Sequence, residues 1–179
     1  MLEEHDGALD VTRALSYIFC AERPLRVNEL LHALAIADRD DTELDRNGIS
    51  EIADIVNSSN GLIGAENGCV RLVHVTLGEY LAREENRDKL VPQPDAMMAR
   101  TCLTYLSFDE FKSGSCDDGD SLDQRLDAYP FLDYASRHWG YHVRKHQDDE
   151  KTIHLLRGPL QDSGKLDSAI QLQFGLAHR

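Results

Sequence analysis

Residues Gly61–Glu85 read GLIGAENGCVRLVHVTLGEYLAREE, a hairpin pattern that runs directly into a helix pattern. The predicted strands are Leu62-Ile63 and Cys69–Val73, each bounded by residues that favour turns. Between them, Asn67-Gly68 supplies two residues that tolerate positive φ, as a type I′ turn requires. The segment therefore predicts a tight two-stranded hairpin.

A helix is predicted immediately after this hairpin, from Thr76 to about Arg87. Thr76 and Glu79 have the spacing of a capping box, in which each side chain accepts a hydrogen bond from the other residue's backbone amide. His74 lies two residues earlier, beside the partly positive helix end where anionic groups are favoured. Two roles follow for His74: a hydrogen bond to a backbone group, which the residues alone favour, or contact with a phosphate.

Three helical patterns precede the hairpin. Apolar residues recur at helical spacing in Ala8–Ala21, in Val27–Ile36 and in a third segment that ends at Asn60-Gly61. Asn47 is the predicted cap of the third helix. Three helices followed by a hairpin are the element order of a winged helix, which is the fold that the sequence predicts here.

The rest of the chain reads as further helices separated by polar breaks. The breaks are Val91–Asp95, the flexible connector Lys112–Asp120, and Gln147–Glu150. Asp95 is the predicted cap of the next helix, and Tyr129-Pro130 interrupts a later one. We therefore predict a mainly α (α+β) protein with a winged helix domain at residues 1–90, a helical bundle at 95–146 and a C-terminal helical segment at 147–179.

The composition is typical of a soluble, intracellular protein. Of its 179 residues, 41% are hydrophobic and 28% are charged, as in ordinary globular domains. The four cysteines form no CxxC pair, which suits reduced thiols. The acidic N-terminus has no signal-peptide pattern, and no apolar run approaches the roughly 18 residues that span a bilayer. We expect a cytoplasmic protein with no membrane partner.

Neither a catalytic motif nor a convincing metal site is visible. The chain has no GxxxxGK[ST] phosphate loop and no GxSxG elbow, so we predict no enzyme activity. His138, His142 and His146 are the strongest metal candidates, since residues four apart share a helix face. Positive side chains crowd the same turns, however, and the acidic run Asp117–Asp120 lacks calcium-loop spacing. We predict no metal and no cofactor bound by this chain alone.

Binding to DNA is an alternative function that a winged helix leaves open. The net charge is −13, and Asp38–Asp54, around the third helix, contains seven acids and two bases. Within the wing, Arg71 is the basic residue. Such a surface repels phosphate backbones, so we predict no nucleic-acid partner.

Five ordered blocks resemble one region of a known family. They are RALSYIFCAERPLRVNELLHALAI (Arg13–Ile36), ELDRNGISEIADIVNSSNGLI (Glu43–Ile63), VRLVHVTLGEYL (Val70–Leu81), ARTCLTYLSFDEF (Ala99–Phe111) and YPFLDYASRHWGYHVRK (Tyr129–Lys145). Together they resemble the region after the nucleotide-binding domain in fungal NACHT-type (STAND, NLR-like) signal-transduction ATPases with ankyrin repeats. The winged helix part resembles the domain named after GPI inositol-deacylase, although no hydrolase motif is present here.

The resemblance implies a regulatory module. In such ATPases the winged helix packs on the nucleotide-binding domain and helps to hold the closed, ADP-bound state until ATP replaces ADP. A histidine in a pattern like LVHxTxxEYL approaches the β-phosphate of ADP, and His74 occupies that position. Val75 stands where a tyrosine or phenylalanine often follows. Nucleotide exchange would remove the contact and release the winged helix.

The resemblance also implies partners that this sequence does not contain. The NACHT domain and the ankyrin repeats are both missing, so we expect either a fragment of a larger protein or a chain that acts in trans on those domains. Three alternatives remain open from the residues: a DNA-binding regulator, a histidine-based metal protein and a stand-alone protein-interaction adaptor.

Overall fold

The computed structural model describes residues 2–36, 42–83, 85–86 and 93–174, and the side chains from residue 9 onward within those ranges. Part of the acidic segment that begins at Asp38, the predicted helix end near Arg87 and the Val91-Pro92 part of the first polar break lie outside the described residues. None of the described helices combines the length and apolarity that crossing a bilayer requires.

The first part of the fold has the predicted winged helix order. Its elements are α1 (Leu2–Cys20), α2 (Val27–Ala35), α3 (Ile52–Ser58), β1 (Ile63–Glu66), β2 (Cys69–Leu72) and α4 (Val75–Ala82), with a 3₁₀ helix at Arg46–Gly48 before α3. The two strands form an antiparallel hairpin. The predicted class, mainly helical with a small hairpin wing, is confirmed.

Backbone geometry confirms the turn that joins the two strands. Asn67 and Gly68 have φ values of 52° and 76°, the pair of positive angles that defines a type I′ turn. The turn is tied to the start of α2, because the Gly68 carbonyl accepts a hydrogen bond of 2.9 Å from the Val27 amide. The wing therefore has a fixed position relative to α2.

Helices make up the second part of the fold. They are α5 (Pro94–Leu106), a 3₁₀ helix (Asp109–Ser113), α6 (Gly119–Ala128), α7 (Phe131–Arg144), α8 (Glu150–Gln161) and α9 (Ser163–Phe174). As predicted, Tyr129-Pro130 separates two helices, since proline disfavours helix in the residue before it.

One continuous set of buried side chains joins the two parts. Tyr17 of α1 is hydrogen-bonded to Thr101 of α5 at 2.7 Å, and both side chains are buried. Tyr105 lies at the centre of an aromatic cluster, with its ring centroid 5.3 Å from that of Phe131. The division into residues 1–90, 95–146 and 147–179 stays a prediction, and buried contacts cross it.

Two predicted helix caps are wrong. Helix α4 begins at Val75 with His74 at its N-cap, so Thr76 lies inside the first turn and cannot cap it. At the earlier site, the Asp45 carboxylate accepts a hydrogen bond of 3.0 Å from the Asn47 amide. Asp45 thus caps the 3₁₀ helix at Arg46–Gly48, whereas α3 begins at Ile52 with Glu51 at its N-cap. Asn47 caps neither helix.

Asp95 and the connector also differ from their predictions. The N-cap of α5 is Gln93, and the buried Asp95 carboxylate instead accepts a hydrogen bond of 3.0 Å from Lys145 Nζ. The predicted flexible connector contains the buried Cys116, whose amide and carbonyl both bond the Gln171 side-chain amide at 2.8 Å. This pair of hydrogen bonds holds the connector against α9.

Candidate partner-binding surface around His74

His74 lies at the junction between the wing and α4. Its φ and ψ are −111° and 127°, so the chain is still extended at this residue and becomes helical at the next. The imidazole is exposed and makes no cap hydrogen bond. Among the described residues it has no hydrogen-bond or ion-pair partner. The backbone hydrogen bond that the residues alone favoured is therefore not made.

Three large apolar residues close to His74 in the sequence have exposed side chains. Val73 is 39% exposed, Val75 is 78% exposed and Tyr80 is 44% exposed. We call Val73, His74, Val75 and Tyr80 the junction surface. Only Leu81 of helix α4 is buried, so α4 leaves most of its surface uncovered. Exposed apolar side chains close in sequence to an unengaged polar group make this junction a candidate interaction site.

The surface that would meet DNA in a winged helix is acidic. Glu51 and Asp54, at the start of α3, are both exposed. Arg71, the basic residue of the wing, forms an ion pair of 2.8 Å with Glu66 on the opposite strand. These carboxylates repel phosphate and neutralise the wing.

His138 and His142, both in α7, have separate environments, and His146 lies in the turn beyond the end of α7. His142 is fully buried, and its Nε2 is 2.9 Å from the Tyr134 hydroxyl. His138 packs its ring against Tyr134, with the centroids 4.7 Å apart. Within the described ranges, no group of three His, Cys, Asp or Glu side chains is arranged to hold a metal ion.

Burial keeps two core histidines neutral. Burial, aided by the charge of Lys145, lowers the pKa of His142 to about 4. His32, whose Nδ1 is 2.9 Å from the Tyr105 hydroxyl, has its pKa lowered to about 4 by burial and by Arg46. Protonating either ring would place a charge in the core, which costs free energy.

We expect the free energy of unfolding to fall as the pH is lowered from 6.5 towards about 4. In that window the unfolded chain binds protons at His32 and His142 and the folded chain does not, so acid favours unfolding. Urea titrations across the window measure the slope. The variant His142→Gln lacks one of the two groups that take up a proton on unfolding. Its free energy of unfolding should therefore fall less steeply with decreasing pH. An unchanged slope in His142→Gln would mean that His142 is charged in the folded protein.

An ion-pair cluster of one buried and two partly buried side chains joins the winged helix to the helices that follow. The Arg23 guanidinium donates to both carboxylate oxygens of Glu29, at 2.8 and 2.7 Å, and to Asp133 of α7 at 3.0 Å. Glu29 also accepts a hydrogen bond of 2.8 Å from the Arg26 amide. We call Arg23, Glu29 and Asp133 the Arg23 clasp. The sequence analysis did not predict the clasp. Glu29, an acid within the apolar helix VNELLHALA, could have indicated a buried carboxylate that needs a positively charged partner.

The contacts within the clasp change the pKa values of Arg23 and Asp133. The hydrogen bond to Glu29 raises the pKa of Arg23 above its ordinary value. Burial alone would raise the pKa of the Asp133 carboxyl, but Arg137 and Arg23 outweigh burial and hold the pKa below its ordinary value. Both groups therefore stay charged near neutral pH, and the clasp stays formed.

Comparison with known proteins places the chain in a family. The family described as GPI inositol-deacylase, winged helix domain, matches residues 1–91. The chain is also 29% identical over 149 residues to azaphilone pigments biosynthesis cluster protein L of Monascus ruber. That alignment covers 74% of this chain and 30% of the relative, so the chain spans less than a third of the relative's length.

No solved structure matches the chain. The family match covers just over half of the 179 residues and includes all three helices, the wing and α4. The observed hairpin and helix order agree with that match. The chain belongs to the GPI inositol-deacylase winged helix domain family.

Proposed function

We propose that this chain is a non-enzymatic regulatory module that binds a NACHT-type nucleotide-binding domain and helps to hold it in the ADP-bound, inactive state. The observation that carries the proposal is the exposed, unengaged imidazole of His74 within the apolar junction surface. The module acts in the cytoplasm and binds no nucleotide by itself.

The chemistry at His74 suits a phosphate held by a partner. A neutral imidazole offers one N–H donor, and a protonated one offers two. The first amides of α4 lie beside it, and the first amides of a helix have no partner within the helix and favour anions. A phosphate that approached this junction would meet both kinds of donor. Val73, Val75 and Tyr80 would then be covered by the partner domain.

The relative's length is consistent with a module of a larger assembly. A chain that matches 30% of a longer protein is expected to work with other domains, in the same polypeptide or in trans. By the resemblance, these are the NACHT domain and the ankyrin repeats. A stand-alone interaction adaptor would use the same exposed surface without a nucleotide.

The test is a binding titration of the purified chain with a recombinant NACHT domain from the same genome. We expect binding to the ADP-loaded domain and weaker binding to the domain loaded with an ATP analogue. His74→Ala should weaken binding to the ADP form by about tenfold, because a hydrogen bond to a charged group is lost. His146→Ala, in the turn after α7, is the matched control and should bind as the unmodified chain does.

The outcomes separate the candidate functions. Equal binding of His74→Ala to the ADP form would overturn the role of His74. Nucleotide-independent binding would favour the adaptor. Sub-micromolar, salt-sensitive binding to duplex DNA would favour a DNA-binding regulator, which the acidic residues of α3 and the neutralised Arg71 make unfavourable.

A further inference from the structure

A second candidate site, far from His74 in the sequence, is a pocket between the end of α5 and helices α8 and α9. Its volume is about 510 Å³, within the range of small-molecule sites. Three basic side chains line it, from two different helices: His154, Arg157 and Lys165. The chain has a net charge of −13, so three basic side chains in one pocket are a local exception to its acidic character.

Lys165 is the most constrained of the three. Its side chain is 9% exposed, and Nζ donates to the Ser107 carbonyl and, at 3.0 Å, to Asp109 Oδ1. An ammonium group has three N–H donors, so one has no partner among the described residues. Asp109 is shared with Lys112, whose Nζ is 2.9 Å from the other carboxylate oxygen. One carboxylate therefore faces two ammonium groups.

Arg157 and His154 add donors at the rim of the pocket. Both side chains are exposed, and in the described part of the chain neither has a hydrogen-bond or ion-pair partner. Arg157 is always charged near neutral pH and can donate two parallel hydrogen bonds to an oxyanion. Lys165 and Arg157 both line this cavity.

The rest of the lining includes one large apolar side chain, Leu155, beside Thr42, Thr104, Ser107, Gly158 and Gln161. Leu155 and the buried Thr104 contribute to the wall. Gly158 lets α8 approach α5 closely, because a Cβ at this position would lie 2.7 Å from the Ser107 hydroxyl oxygen. The Ser107 hydroxyl already donates to the Leu103 carbonyl at 2.7 Å. The cavity thus combines basic side chains from α8 and α9 with the apolar side chain of Leu155.

We propose that this pocket binds a small organic anion that has an apolar body and one phosphate or carboxylate group. The anionic group contacts Arg157 and the spare donor of Lys165, and the apolar body lies against Leu155. This site is independent of the junction surface and of any nucleotide-binding partner.

Phenyl phosphate is the probe for the test, with backbone amide NMR shifts of the full chain as the readout. We expect saturable shifts at residues 154–158 and 104–107, with a Kd below about 1 mM. Arg157→Gln should weaken binding about tenfold or more, because it removes a charge-assisted contact from an exposed position. Lys151→Gln changes the same amount of charge on α8 outside the pocket lining and should leave the Kd unchanged.

Three results would overturn the proposal. The first is an absence of saturable shifts at these amides. The second is equal binding by Arg157→Gln and the unmodified chain, provided that the variant's amide spectrum shows it folded. The third is an affinity for inorganic phosphate or for phenol equal to that for phenyl phosphate. Equal affinity for inorganic phosphate would show that the apolar body contributes nothing, and equal affinity for phenol would show that the anionic group contributes nothing. Weaker binding of both phenol and inorganic phosphate supports the proposal.

Discussion

Glu29→Ala is expected to lower the free energy of unfolding by about 3 kcal/mol, because it removes the buried partner of an ion pair and its three hydrogen bonds. The Glu29 side chain is 1% exposed and accepts three hydrogen bonds, two from Arg23 and one from the Arg26 amide. The variant leaves the Arg23 guanidinium, 29% exposed, with Asp133 as its remaining carboxylate. Chemical denaturation followed by circular dichroism measures the loss.

Glu79→Ala is the matched control for this prediction. Glu79 is an exposed acid in a helix of the same winged helix domain, and exposed substitutions usually change stability by less than about 0.5 kcal/mol. A loss below about 1 kcal/mol for Glu29→Ala would show that the clasp contributes little. In that case Arg23 would be adequately solvated without Glu29.

Gly164→Ala is expected to destabilise the protein by about 2–3 kcal/mol, because the added methyl group has no room. A Cβ at this position would lie 2.1 Å from the Lys112 carbonyl oxygen and 2.7 Å from its carbon, both backbone atoms. Relief requires the start of α9 to move away from the 3₁₀ helix at Asp109–Ser113. That movement would also disturb the hydrogen bond of the buried Ser168 hydroxyl to the Phe111 carbonyl, at 3.1 Å.

Gly140→Ala is the control, and we expect it to raise the free energy of unfolding rather than lower it. A Cβ at Gly140, inside α7, would meet no heavy atom within 4 Å. Alanine there should stabilise the helix by about 0.5–1 kcal/mol, since glycine is a poor helix former. Equal effects of the two substitutions would mean that α9 does not approach the Lys112 backbone closely.

The elements that the sequence predicted best are those with local causes. The type I′ turn follows from Asn67 and Gly68 alone, and the break at Tyr129-Pro130 follows from proline geometry. The helix caps were harder to place. Thr76 and Asn47 show that a cap depends on where the preceding chain turns, and several nearby polar residues compete for that position.

The candidate sites depend on contacts between residues far apart in the sequence, which sequence patterns do not predict. His74 could be located from its place before a helix, but its lack of a partner depends on which groups the fold brings near. The clasp joins Arg23 and Asp133, which are 110 positions apart, and no sequence period relates them. The basic pocket likewise needs Lys165 and Arg157 to meet the end of α5. Pairings of this kind follow from packing rather than from pattern.

The clasp and the shared core have a mechanical consequence. Because Arg23 bonds both Glu29 of α2 and Asp133 of α7, we expect α2 and α7 to be displaced together rather than separately. The wing is tied to the start of α2 through the Gly68 carbonyl, so a partner that pulls on the wing would load α7 as well. The clasp would thus transmit force between the two parts of the fold.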